Sequence, residues 1–124
     1  MQIVKSELIV MYDVDETLVL HFKSDGSTGP NMSYYSEVSD DFGHSQLIKA
    51  HSKHVNLLHN HLQRGYQVIV WSKAGWSWAA NVVKFLGLED ENIIVMSKPI
   101  AYVDDLEASE FMTNRIYLGS SDVK

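Results

Sequence analysis

The chain contains no cysteine. That absence excludes a disulfide framework and any thiolate chemistry. Long apolar runs are missing too. The longest near the N-terminus is Leu8-Ile9-Val10-Met11-Tyr12, far short of the roughly 20 residues that a bilayer-spanning helix needs. It runs into Asp13-Val14-Asp15-Glu16, the wrong flank for a secretory signal, so a cytoplasmic protein without a membrane partner is expected. Positive charge is scarcer than negative: the formal net charge is −6 and the pI about 5.4. This balance argues against non-specific binding to nucleic acid or to an anionic membrane. It also requires that an anionic substrate be drawn in locally, by a metal ion or a lysine. No internal repeat or low-complexity tract is visible.

What is present describes one folded unit. With 124 residues, of which 45% are hydrophobic and 21% charged, the chain suits a single soluble domain over residues 1–124 with one core and little left for a second lobe. Glu7 to Tyr12 is an apolar, β-branched run that predicts a strand buried on both faces. Similar short runs occupy Gln67 to Trp71, Asn92 to Met96, Ile100 to Val103 and Arg115 to Leu118. Between them, Ser45 to Arg64 carries apolar residues at nearly helical spacing and ends at Gly65. Trp76 to Leu86 predicts a second helix closed by Gly87, and Asp105 to Met112 a short third. Alternating strands and helices predict an α/β domain, a Rossmann-like, mostly parallel sheet with flanking helices. Residues from about 18 to 44 differ. Asp25-Gly26 and Gly29-Pro30-Asn31 are turn chemistry around two short extended pieces, Val19 to Lys23 and Met32 to Val38, and predict a hairpin-like flap after the first strand.

In an open parallel sheet, ligands bind at the carboxyl ends of the strands. The residues following the proposed strands are Asp13, Asp15 and Thr17, then Ser72 and Lys73, then Ser97 and Lys98, then Asp104 and Asp105. Acid, hydroxyl, cation and acid would therefore meet on one rim. Phosphoryl transfer needs such a set: an in-line nucleophile, charge neutralisation at the phosphate, donors for its oxygens and a proton donor for the leaving group. Carboxylates and carbonyl oxygens are natural Mg²⁺ ligands.

The stretch L-I-V-M-Y-D-V-D-E-T-L-V (Leu8 to Val19) resembles the first motif of the haloacid dehalogenase (HAD) superfamily, a strand followed by D-x-D-x-T. V-I-V-W-S (Val68 to Ser72), Ser97-Lys98-Pro99 and Y-V-D-D (Tyr102 to Asp105) resemble its second, third and fourth motifs, in the family's order across residues 8 to 105. The resemblance implies a HAD-like fold and a phosphatase working through an aspartyl-phosphate on Asp13. Asp15 would be the general acid/base, a feature similar to the phosphatase branch. Thr17 would brace the loop, and Ser72 and Lys98 would bind the phosphate. Mg²⁺ would lie on Asp13, the Asp15 carbonyl, and Asp104 or Asp105. The flap leaves no room for a cap domain, as in short capless members. An open site of that kind implies either a large phosphorylated substrate or a second subunit, in a homo-oligomer, that closes it.

Only Pro99, Ile100 and Ala101 separate Lys98 from Tyr102, whereas a crossover between parallel strands needs about a dozen residues. Either Asn92 to Met96 or Ile100 to Val103 is therefore expected to depart from a regular parallel strand. Other readings stay open beside the catalytic one. Ser72 and Asp104-Asp105 would also serve as helix caps, and Asp40-Asp41 would cap the long helix with favourable dipole placement. His51, His54, His59 and His61 suggest a metal site, but no glutamate accompanies them, and a solvated helix face with His51 partly against the core is the expectation. Trp76 or Trp78 would either pack the core or wall a pocket. A HAD-like binding or regulatory module with little turnover is the alternative function. A phospho-acceptor receiver domain shares the residue types, but its acidic pair comes early and its lysine last, the reverse of the order here.

Overall fold

The computed structural model describes residues 1–28 and 32–119. It is a small α/β structure with two sheets. The first is parallel, with strands β1 (Ile9–Asp13), β5 (Gln67–Ser72) and β6 (Ile93–Ser97) in the order β1-β5-β6. The second is antiparallel, with β4 (Ser45–Ala50) between β2 (Val19–His21) and β3 (Ser36–Ser39). Two helices complete the regular structure: α1 (Ser52–Gln63) leads from β4 into β5, and α2 (Trp76–Phe85) links β5 to β6.

The period-2 geometry of the strands sorts their side chains. Tyr12, Val68 and Val70 share the face that joins Leu58 of α1 and Val82 and Val83 of α2 in the core. Leu58, Val68, Val70 and Val82 are fully buried, each removing a side chain from water at a gain of roughly 1.5–3 kcal/mol. The opposite face, with Ile9, Met11 and Trp71, is less covered, and Ile9 remains 44% exposed. Burial on both faces, expected for β1, is thus only partial. A groove of about 630 Å³ runs between Met11, Trp71 and the coil residues Pro99 to Tyr102, Ala108, Phe111 and Met112.

Several expectations are corrected. The segment from Ser45 is not helical at first: Ser45–Ala50 is the central strand of the antiparallel sheet. The adjacent pair Leu47-Ile48 fits either period, and the helix begins only where His51 supplies an N-cap, its ring accepting from the His54 amide at 3.3 Å. Asp40 and Asp41 therefore cap no helix. Asp40 instead closes the β3–β4 turn by accepting from the amides of Phe42 and His44, each at 2.9 Å. Ile100–Val103 and Arg115–Leu118 form no strands, and of the expected helix over 105–112 only the 3-10 turn Ala108–Glu110 forms. Ile100 and Val103 are fully exposed. The three-residue link after Lys98 is the reason: it cannot carry the chain back for a parallel crossover, and β6 is the regular strand. The flap is more than a hairpin, because β2 and β3 both pair with β4. The Gly29-Pro30-Asn31 turn lies outside the described residues. Gly65 (φ 83°) and Gly87 (φ 73°) close the helices in the left-handed region, as expected.

Of the four histidines, His59 is exposed on the helix face as expected, and the other three face inward. His51, His54 and His61 are buried. The ring of His54 donates through Nδ1 to the Thr17 carbonyl (2.8 Å) and accepts through Nε2 from the Leu118 amide (2.9 Å). His51 Nδ1 accepts, so its Nε2 carries the proton that meets the Gly119 carbonyl at 2.6 Å. The two rings stack with centroids 4.1 Å apart. The segment expected as a fifth strand is thus fastened by imidazoles, with its amide and carbonyl satisfied there.

Burial pushes His54 and His61 below the ordinary histidine range. A histidine whose folded pKa is depressed binds fewer protons folded than unfolded, so its share of stability is fully present above about 6.5 and is lost as pH falls below that value. His21, raised by its bond to Asp15, acts with the opposite sign: its share is present below about 6.5 and is lost as pH rises through its folded pKa. His54→Asn leaves the His21 share in place and removes that of His54. The variant is expected to lose less stability than the wild type between about pH 7 and about pH 5, by up to about one proton of linkage, read from urea midpoints at each pH. Parallel pH profiles for the two proteins would show that His54 is not held neutral.

Candidate active site

The loop after β1 is tightly wound. The Val14 carbonyl accepts from the amides of Thr17, Leu18 and Val19 at 3.2, 2.9 and 3.1 Å, and the Val14 side chain is fully buried. Such a turn needs one residue in the left-handed region, and Glu16 takes it at φ 60°, uncommon for a residue with a Cβ. The conformation is braced from outside. The Tyr117 hydroxyl donates to the Glu16 carbonyl at 3.0 Å, and His54 holds the next carbonyl, that of Thr17. The coil after β6 and helix α1 thereby fix the loop that presents the aspartates.

Asp13 ends β1 with its carboxylate held from both sides. Thr17 Oγ1 donates to Oδ2 at 3.0 Å, and Lys98 Nζ lies 3.0 Å from Oδ1. The side chains of Asp13 and Lys98 are 34% and 37% exposed, so an incoming anion can reach them. Lys98 is positioned by the ladder: β5 and β6 pair up to Ser72 and Ser97, and the Lys98 amide adds one more bond to the Ser72 carbonyl at 2.9 Å. The short link to Tyr102 does not displace it.

Ser72 is fully buried at the end of β5. Its Oγ accepts from the Ala74 amide at 3.0 Å, which makes it a turn cap. A hydroxyl that accepts one bond still has its proton to donate, so the capping and phosphate-binding readings are compatible. Ser97 caps in turn, accepting from the Trp76 amide at 2.9 Å.

Asp15 is anchored through one oxygen. His21 Nε2 lies 2.7 Å and Trp78 Nε1 2.9 Å from Oδ1. Burial pushes this carboxyl up, but the hydrogen bonds from His21 and Trp78, together with the charges of His21 and Lys98, outweigh it and hold Asp15 below the ordinary carboxylate range. His21 is raised in return, first by its bond to Asp15, against its own burial, and also by the charges of Asp15 and Glu16. A cavity of about 290 Å³ opens beside this group, lined by Asp15, His21, Asp40, His44, Gln46, Ala74 and Trp78. Its outer wall is the β3–β4 hairpin, docked on α2 where Ser77 Oγ accepts from the Asp41 amide at 2.7 Å and Asn81 Nδ2 donates to Asp41 Oδ1 at 3.1 Å. Phe42 and Trp76 meet edge-on beyond it, with centroids 6.1 Å apart.

Asp13, Thr17 and Lys98 are in direct contact, Ser72 adjoins Lys98 through its backbone, and Asp15 faces the adjacent cavity. Asp104 and Asp105 are not gathered with them. Both are exposed on the coil, where Asp104 Oδ1 accepts from the Leu106 amide at 3.0 Å. Among the described residues no group of three or more acidic or histidine side chains converges on a point. Sequence reasoning missed His21. Its signal was a titratable residue ending the apolar strand V-L-H, six positions after Asp15. Trp78, expected either in the core or as a pocket wall, is both, with its indole N–H turned to the acid.

Among the described residues no helix is long and apolar enough to cross a membrane. No protein-family model, no curated protein and no solved structure matches the chain.

Proposed function

We propose that this chain is a Mg²⁺-dependent phosphomonoester hydrolase of the capless HAD type. The observation that carries the reading is the Asp13 carboxylate held between Thr17 and Lys98, with the hydrogen-bonded Asp15 two residues on. A carboxylate fixed on both sides is oriented for in-line attack, and a lysine beside it offsets the repulsion between nucleophile and phosphate.

In the first step an Asp13 oxygen forms a bond to phosphorus while the ester P–O bond breaks, and the departing oxygen takes a proton from Asp15. In the second, Asp15 takes a proton from water as the water oxygen bonds to phosphorus. The Asp13 O–P bond breaks and inorganic phosphate leaves. Held ionised before substrate arrives, Asp15 suits the base half of this cycle. The charge of a bound phosphate disfavours a second negative charge nearby and promotes its protonation for the acid half.

The donor set fits Mg²⁺, which is commonly held by one or two carboxylates together with water and substrate phosphate. Asp13 and the Asp15 main-chain carbonyl would hold it with water, since Asp104 and Asp105, the other ligands expected from the sequence, lie apart from them on the coil. When bound, the ion would supply charge neutralisation at the phosphoryl oxygens.

A panel of nucleotides, sugar phosphates and phosphopeptides, assayed for phosphate release with Mg²⁺ and with EDTA, tests the proposal. Mg²⁺-dependent release from at least one class is expected, and none from any class would contradict it. Lys98→Met should lower kcat/KM for the best substrate by ~10²-fold, the scale of losing one charge-stabilising group, as measured in steady-state assays. The second reading is a HAD-like binding or regulatory module with little turnover, favoured by the exposed placement of Asp104 and Asp105. It predicts phosphate-ester binding by calorimetry without release.

A further inference from the structure

The acid/base residue is tied to two elements that the four motifs do not include. His21 belongs to β2, in the antiparallel sheet, and Trp78 to the first turn of α2. Both bring an N–H to the same oxygen, Asp15 Oδ1, at 2.7 and 2.9 Å. A carboxyl group that accepts two N–H bonds on one oxygen can carry a proton only on the other. It is also prevented from rotating, because exchanging its oxygens would break both bonds.

From this geometry we infer that His21 and Trp78 are positioning residues that confine the Asp15 proton to Oδ2 and set it toward the leaving group. The inference rests on the phosphohydrolase reading above. The cavity of about 290 Å³ lined by Asp15, His21, Gln46 and Trp78 is the space on the acid's side of the site, and it receives the alcohol end of the ester. Trp78 is 5% exposed, so its indole is fixed by core packing. His21 lies on β2, which pairs with β4, and Gln46 of β4 lines the same cavity, so the flap sheet sets that ring. The flap therefore acts on leaving-group protonation, while Asp13, Thr17 and Lys98 act on phosphorus.

That division has a kinetic signature. An alkyl phosphate expels an alkoxide that must be protonated, whereas p-nitrophenyl phosphate expels a stable phenolate that needs no acid. The test is single-turnover phosphoryl transfer onto the Mg²⁺-loaded enzyme from both esters, so that the later hydrolysis step, common to both, does not enter. His21→Ala and Trp78→Phe should each slow the alkyl ester by ~10-fold or more, part of the ~10²–10⁴ that general acid catalysis supplies, with a far smaller change on the aryl ester. His21→Gln, which restores an N–H near the imidazole Nε2 position, should recover part of the loss. Equal losses on both esters would overturn the inference and mark the two residues as merely structural, as would unchanged rates. No phosphoryl transfer from either ester to the wild type would overturn the underlying phosphohydrolase reading. The contact itself is read without turnover: the Trp78 indole N–H proton resonance should move on Asp15→Ala, and an unmoved resonance would overturn the positioning.

Discussion

Asp13→Asn is expected to abolish phosphate release, with a loss of ~10³-fold or more, equivalent to at least ~4 kcal/mol of transition-state stabilisation. An amide has no charged oxygen to attack phosphorus and cannot form the acyl-phosphate bond. The substitution should leave the fold intact. The carbonyl oxygen of the introduced amide can face Lys98, and its NH₂ can donate to the Thr17 hydroxyl, so the two contacts now made by Asp13 retain partners. Unchanged thermal unfolding beside lost turnover is the expected pair of results. Residual activity near the wild-type level would remove Asp13 from the chemistry.

Asp15→Asn should lower turnover by ~10²–10⁴-fold, the range for a lost general acid/base, and change what accumulates. With an ester whose leaving group needs no proton, Asp13 can still be phosphorylated, but no base remains to activate water. The aspartyl-phosphate should then build up, visible by intact-protein mass spectrometry as the addition of one phosphoryl group. Full activity in this variant would move the acid/base role elsewhere. The substitution also tests the anchor. An asparagine carbonyl in the position of Oδ1 still accepts from His21 and Trp78, so the variant isolates proton transfer from positioning.

The strand and turn from Ile9 to Thr17 were legible because their parts are local. An apolar run, two acids and a threonine at fixed spacing define a strand and the turn after it, and the structure places Thr17 and Lys98 on Asp13. Ser72 and Lys98 were legible for a related reason: parallel strands in register bring their carboxyl ends together. The coil before Asp104 was not. Tyr102 to Asp105 has the composition of a strand end, yet forming one depends on the length of chain before it, and three residues are too few. The true start of α1 was hidden because Leu47-Ile48 satisfies both a helical stripe and the middle strand of a sheet.

His54 and His61, unlike the exposed His59, were misread for a different reason. Their sequence neighbours are polar, which describes a solvated face. Beyond the local cap, the partners of His51 and His54 are the Thr17 carbonyl, the Leu118 amide and the Gly119 carbonyl, all three distant in the chain. Tautomer-specific bonds of this kind appear only once the tertiary structure is closed. His21 belongs with them, since only the pairing of β2 with β4 brings it back over Asp15.

The most direct test of the account is to locate the phosphoryl group. The wild-type protein, quenched during incubation with a phosphate ester and Mg²⁺ and reduced with borohydride, should yield homoserine at position 13 on peptide mass spectrometry. Reduction at any other residue, or steady phosphate release with no trapped adduct in either the wild type or Asp15→Asn, would contradict an aspartyl-phosphate mechanism on Asp13.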